Sequence, residues 1–208
     1  ITTRLVGSEM CIRDRGKTLS LDVLAAGNQY VNCELTYSNQ DIRLEEIGFE
    51  KCTFQQTDFK NSEWLDCQFQ GCQFLNCQFQ ESYLYRCQFN GCQLLGSDFT
   101  AARLKDVAVN DTQADYANFA EAVLTGCDFS ETRLNEASFQ MVTVKRRLSF
   151  NRCELVRADF TESQLKLVDL RTSDIEALVF TPGLVRGCRI DALQAVTFAA
   201  ALGLDIGD

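Results

Sequence analysis

Cys52 to Asp106 reads, in fives, CTFQQ TDFKN SEWLD CQFQG CQFLN CQFQE SYLYR CQFNG CQLLG SDFTA ARLKD. The third residue of each five is Phe, Trp or Leu. The first is Cys, Thr or Ser, and Ala in the last. A five-residue period held over eleven units fits neither the 3.6-residue period of a helix nor the alternation of an ordinary strand. In each unit the first and third residues point inward on a short extended segment, while the others turn the chain and face water. A short strand and a corner, repeated, coil into a parallel β-solenoid.

A second, longer period is visible. Every fourth unit places Phe59, Phe79, Phe99, Phe119 and Phe139 in one column. One extra residue near Arg147 carries the series on to Phe160 and Phe180. Neighbouring columns follow Trp64, Leu84 and Leu104; Phe49, Phe69 and Phe89; and Phe54, Phe74 and Leu94. The turn is therefore four-sided and uses twenty residues. Side chains of one column stack at about 4.8 Å per turn, the strand spacing of a sheet.

At 208 residues with a formal net charge of −9 and no His, the chain suits one domain. The charge argues against general binding of nucleic acid or anionic membranes. Without His there is no His-based acid–base catalysis or metal site. No stretch is long and apolar enough for a transmembrane helix, and no secretory signal stands out. Ten of the eleven cysteines occupy the inward first place of a five, where Ala, Ser, Thr and Val also occur. Free buried Cys packs as a small hydrophobe, and parallel stacking in a column does not suit bridging. Reduced thiols point to the cytoplasm. No cofactor and no metal are expected.

Residues 1–15 break the pattern. LVGSEMCIRD, from Leu5 to Asp14, resembles a translated sequencing-library adaptor and is set apart from the fold. Residues 16–32 form an irregular N-terminal lead-in, in which Leu19, Leu21, Val23 and Leu24 are expected to cover the first coil. Residues 33–190 carry the solenoid, interrupted at Ser38–Asp41 and bulged at Arg147. Ala114 stands where Phe or Leu is usual, and Tyr116 is expected to fill the space. Pro182 marks a turn. In residues 191–208, Asp191 is expected to cap a helix over 192–202 that Gly203 stops. Leu193, Val196, Phe198 and Leu202 spread round that helix, so one side can cap the coil and another can meet a second copy.

The register sorts charge by wall. The Phe59 wall carries Asp58, Glu81, Asp98, Glu121, Asp159 and Glu162 against Lys60. The preceding wall carries Asp115, Glu136, Glu154, Asp174 and Glu176 against Arg133 and Arg157. The following wall is basic, with Arg86, Arg103, Lys105, Lys145, Arg146, Lys166 and Arg186 against Glu63, Asp66 and Asp106. A partner meeting the acidic walls would face Asp58, Glu81, Asp98, Asp115, Glu121, Asp159, Glu162 and Asp174.

These repeats resemble the pentapeptide-repeat family, which implies an all-β, right-handed quadrilateral parallel β-helix, here with a C-terminal α-helix. ADYANF at 114–119, FTPGLVRG at 180–187 and DALQAVTFAAALGL at 191–204 resemble the Qnr-type group, especially that of Gram-positive bacteria. The resemblance implies a rod-like homodimer that binds DNA gyrase or topoisomerase IV, protects it from quinolones and imitates DNA in shape and charge. Two loops project from many members of the group, and no long insertion matches them here. A non-catalytic scaffold for an unidentified protein is the second reading, with the basic wall as its binding face. An enzyme is the least supported class, since solenoid walls give no deep pocket and no nucleophile–base pair appears.

Overall fold

The computed structural model describes residues 11–205. The chain coils as a four-walled parallel solenoid closed at one end by a helix. One wall, containing Phe69, is a nine-stranded parallel sheet among the described residues. Its strands Gln68–Gln70, Gln88–Asn90 and Ala108–Asn110 align Phe69, Phe89 and Val109. The Trp64 wall is a six-stranded sheet aligning Trp64, Leu84, Leu104 and Leu124. The Phe59 and Phe74 walls are joined mostly by single parallel bridges, such as Asp58 to Gln78 to Asp98 to Asn118.

The column of seven Phe is buried throughout. Ring centroids of Phe79, Phe99, Phe119, Phe139 and Phe160 follow one another at 4.8, 5.0, 4.9 and 4.8 Å, with planes within 7° of parallel. Neighbouring columns meet these rings edge-on, as Phe129 meets Phe119 at 82°. Edge-to-face and offset contacts suit the ring quadrupole and add to the apolar area removed from water.

The first residue of each five does more than fill space. The Cys87 thiol donates to the Trp64 carbonyl at 3.2 Å and Cys92 to Phe69 at 3.4 Å, one turn earlier. Ser163, Ser173 and Thr132 make the same link with hydroxyls, to Phe139, Phe150 and Val109. A small side chain with a donor ties successive turns. All ten cysteines with described side chains are free thiols. Burial pushes Cys77, Cys127 and Cys188 up to about 12, so they stay protonated and inert near neutrality.

The fifth residue makes the corner. Asn61, Asp66, Asn76 and Glu81 have φ of 56°, 54°, 52° and 58°. This left-handed conformation is costly for most L residues and easiest for Gly, Asn and Asp. Gly126 sits there too, and a side chain at that point would also collide with Arg146 and Asp106.

Tyr116 occupies one of these corners, at φ 60° and 58% exposed. It therefore does not fill the space beside buried Ala114, because corner geometry turns a fifth residue outward. The extra residue near Arg147 is present: Thr143 and Val144 pair twenty residues back, whereas Leu148 pairs with Cys127.

Coiling begins earlier than residue 33. Thr18–Ser20 pairs with Glu34–Thr36, and Tyr30 aligns with Phe49 at the head of an inward column. The adaptor-like stretch lies largely outside the described residues. Its last part, Cys11–Arg15, is a strand paired with Asn28–Val31. An open sheet edge offers unpaired N–H and C=O groups, and the chain that precedes it takes them up. Of the expected N-terminal cover, Leu21 is buried and Leu19 and Leu24 pack on the core, while Val23 is exposed.

The terminal helix spans Gln194–Ala201, two residues shorter at its start than expected. Asp191 accepts the N–H groups of Leu193 and Gln194 at 2.9 Å, and its own N–H donates to Gln194 Oε1 at 3.0 Å, a reciprocal cap on the turn that leads into the helix. Gln194 is turned into the coil, where its amide donates to the Leu170 and Ser173 carbonyls at 2.7 Å. Gly203, at φ 76°, ends the helix. Phe198 stacks on Phe180 with centroids 4.6 Å apart and so closes the Phe column.

Candidate functional site

No set of three or more His, Cys, Asp or Glu able to hold a metal is present among the described residues. Two surface depressions are open to solvent. One lies over Glu63, Glu81, Tyr83 and Arg103, and another over Leu95, Tyr116, Arg133 and Glu136. The features with chemical content are the charged walls.

On the Phe59 wall, Asp58, Asp98 and Asp159 precede the central Phe. Their carboxylates accept the backbone N–H two residues on, at 3.1, 2.9 and 2.8 Å. Asn118 makes the same bond with an amide, to Ala120 at 3.0 Å. The turn needs an acceptor, then, but not a charge. Glu81, Glu121 and Glu162 lie exposed at the corners. None of these six acids forms an ion pair among the described residues.

The preceding wall differs. Asp115 is 5% exposed, is clamped by the Arg133 guanidinium and accepts the Asn135 N–H at 3.0 Å. This corrects its reading as a partner-facing acid: opposite charges on adjacent turns have found each other. Glu136 is likewise paired, with Arg157. Asp174 remains exposed, with one oxygen on the Glu176 N–H at 3.0 Å. Two of the five acids on this wall are thus paired, and Glu154, Asp174 and Glu176 form no ion pair among the described residues.

Pairing at one-turn spacing recurs. Arg86 clamps Asp66, Arg152 meets Glu131, and Arg189 lies 3.4 Å from Asp169. Exposed pairs of this kind contribute little to stability, but they decide which charges remain available.

Burial alone would raise the Asp159 carboxyl, yet hydrogen bonds from Thr161 and Gln140 outweigh it and hold it below the usual value. Arg171 holds Asp169 low as well, chiefly through its hydrogen bonds. A lowered folded-state pKa contributes stability above the unfolded value, and that contribution is lost as pH falls through the folded value. We expect stability to decline below about pH 4, and Asp159→Asn to make that decline shallower. Urea titrations at pH 7 and pH 3 measure it; an unchanged difference between the two would contradict the assignment.

At the C-terminal end, Phe198 is buried, whereas Leu193, Val196 and Leu202 are 85%, 52% and 49% exposed. The helix therefore covers the coil with one side and leaves an apolar side uncovered within the protomer.

Four walls, stacked inner columns and left-handed corners define the pentapeptide-repeat fold. Residues 62–139 match the family model described as "Pentapeptide repeat region". Among solved structures, the chain resembles full-length QnrB1, described as "a plasmid-mediated fluoroquinolone resistance protein". The two share 19% identity at a TM-score of 0.57, over 95% of this chain and 100% of that one. A trypsin-treated variant of QnrB1 gives 20% identity and a TM-score of 0.62, over 93% and 99%. A second such variant gives 21% and 0.61, over 97% and 100%. At these identities the likeness is one of fold. No curated protein sequence matches the chain.

Proposed function

We propose that this chain binds a type II topoisomerase, DNA gyrase or topoisomerase IV, and protects it from quinolones. The observation that carries the reading is the Phe59 wall: six acids without ion pairs among the described residues on one face of the solenoid. From Asp58 to Glu162 the wall climbs five turns, about 24 Å. Six acids against Lys60 leave a net of about one charge per 5 Å, below one strand of B-DNA and well below the duplex. Shape plus selected carboxylates, rather than density alone, is the imitation offered. The fold shared with QnrB1, whose description names fluoroquinolone resistance, supports the same reading.

The rod works without catalysis, from the cytoplasm, as a homodimer joined through Leu193, Val196 and Leu202. Two copies of about 38 Å each would double the length of the acidic face. Val196→Glu with Leu202→Glu is expected to give monomer in sedimentation equilibrium; a wild type that is already monomeric at micromolar concentration would refute the dimer.

The functional test is gyrase supercoiling with and without ciprofloxacin. Added chain at micromolar concentration is expected to restore supercoiling in the presence of the drug. No change in supercoiling, DNA binding or drug inhibition would overturn the reading. A non-catalytic scaffold for another protein is the second reading, favoured by the basic wall described next.

A further inference from the structure

Most arginines of the chain are spent on neighbours: Arg133, Arg147, Arg157 and Arg171 each sit against a carboxylate. On the Trp64 wall Arg43, Arg86 and Arg146 are paired in the same way, but five further cations are not. Arg103, Lys105, Lys145, Lys166 and Arg186 are exposed and form no ion pair among the described residues. The register explains their grouping. Lys105 and Lys145 each follow the central inward residue of their unit on the sheet. Lys166, in the 3₁₀ turn Leu165–Leu167, and Arg186, after the turn Pro182–Leu184, follow the matching residues of the next two turns, where Gly187 lies against Lys166. The series climbs four turns, about 19 Å. The acid within this stretch, Asp106, is taken by Arg146. Glu121 and Glu162 stand beyond it, at the corner shared with the Phe59 wall.

The stretch has an amphipathic lower edge. Tyr83 and Tyr85 stack with centroids 6.2 Å apart. The Arg86 guanidinium lies 3.9 Å and the Lys105 ammonium 4.7 Å from the Tyr85 ring centre.

We infer that this half of the Trp64 wall is a docking surface for an extended, acidic segment of a partner protein. About 19 Å accommodates roughly six extended residues at about 3.3 Å each, and five unpaired cations complement carboxylates on such a strand. A nucleic acid fits less well. It would run on along the same wall to Glu45, Glu46 and Glu63, and beside the anionic Phe59 wall, on a chain of net charge −9. Screening over about 8 Å lets a short segment feel the basic stretch alone. The Tyr85 ring is already engaged by its neighbours rather than open to a base. A second copy would have to bring its own acidic wall to this one, a head-to-tail contact that does not close.

The test contains no topoisomerase, so its outcome is separate from that of the proposed function. A fluorescein-labelled peptide of six Glu-Ser repeats is titrated with the full chain and followed by anisotropy. The affinity is expected to fall at least tenfold in Lys105→Glu/Lys145→Glu/Lys166→Glu, and to stay within about twofold in Lys51→Glu/Lys60→Glu, whose lysines lie elsewhere on the coil. If the triple variant melts below wild type, Lys145→Gln/Lys166→Gln replaces it, with a loss of at least threefold expected. Absence of peptide binding, or binding indifferent to these lysines, overturns the inference. So does tighter binding of a twenty-nucleotide single strand through the same lysines, or self-association that the triple variant abolishes.

Discussion

Phe119→Ala is expected to cost about 3–5 kcal/mol of folding stability, the range for deleting a fully buried aromatic ring. The ring stacks on Phe99 at 5.0 Å and on Phe139 at 4.9 Å, and receives Phe129 edge-on at 5.8 Å. Removing it leaves a void bounded by rigid walls above and below, so relaxation can recover little. In a solenoid each turn is held mainly by its neighbours. A gap in the middle of the column therefore weakens two interfaces at once, against a total of about 5–15 kcal/mol for an ordinary domain. Phe180→Ala, at the end of the column beside Phe198, should cost less. Guanidinium titrations followed by circular dichroism compare the two. A mid-column loss below about 1 kcal/mol, or a larger loss at Phe180, would show that the stack does not carry the fold.

The second large effect concerns the acidic wall. Asp58→Asn, Asp98→Asn and Asp159→Asn, with Glu81→Gln, Glu121→Gln and Glu162→Gln, remove six charges from one face. The fold should tolerate this, because Asn keeps the acceptor that the turn requires, as Asn118 already does. Protection of supercoiling against ciprofloxacin is expected to need at least tenfold more of the neutralised protein. Glu131→Gln with Glu136→Gln, whose acids are already paired to Arg152 and Arg157, should change it by less than about twofold. Equal effects of the two sets would mean that net charge, not this wall, is read by the enzyme.

The sequence was most informative where one rule repeats. The inward Phe column follows from a spacing of twenty, and the coordinates keep it ring on ring. The extra residue near Arg147 was legible because columns must stay in register. Charge pairing was legible in principle too: Asp66 and Arg86 stand one turn apart on one wall. Reading each wall by its total charge hid this, and so misplaced Asp115. The donor role of the first residue was signalled by Cys alternating with Ser and Thr. Size and polarity both fit that place, and size alone was read. Coiling before residue 33 was harder to see, since the unit around Tyr30 begins with Asn28 rather than a small inward residue. At the other end, Gln194 reads as an ordinary helix residue. Only the geometry of the closing turn shows it satisfying carbonyls that would otherwise be left open.

The proposal that the Phe59 wall takes the place of DNA on a topoisomerase is tested most directly by equilibrium binding to purified DNA gyrase, with linear duplex DNA as competitor. The account predicts saturable binding that duplex DNA displaces and that weakens when the six wall acids are neutralised. Binding that persists at saturating DNA, or no binding at all, would contradict it.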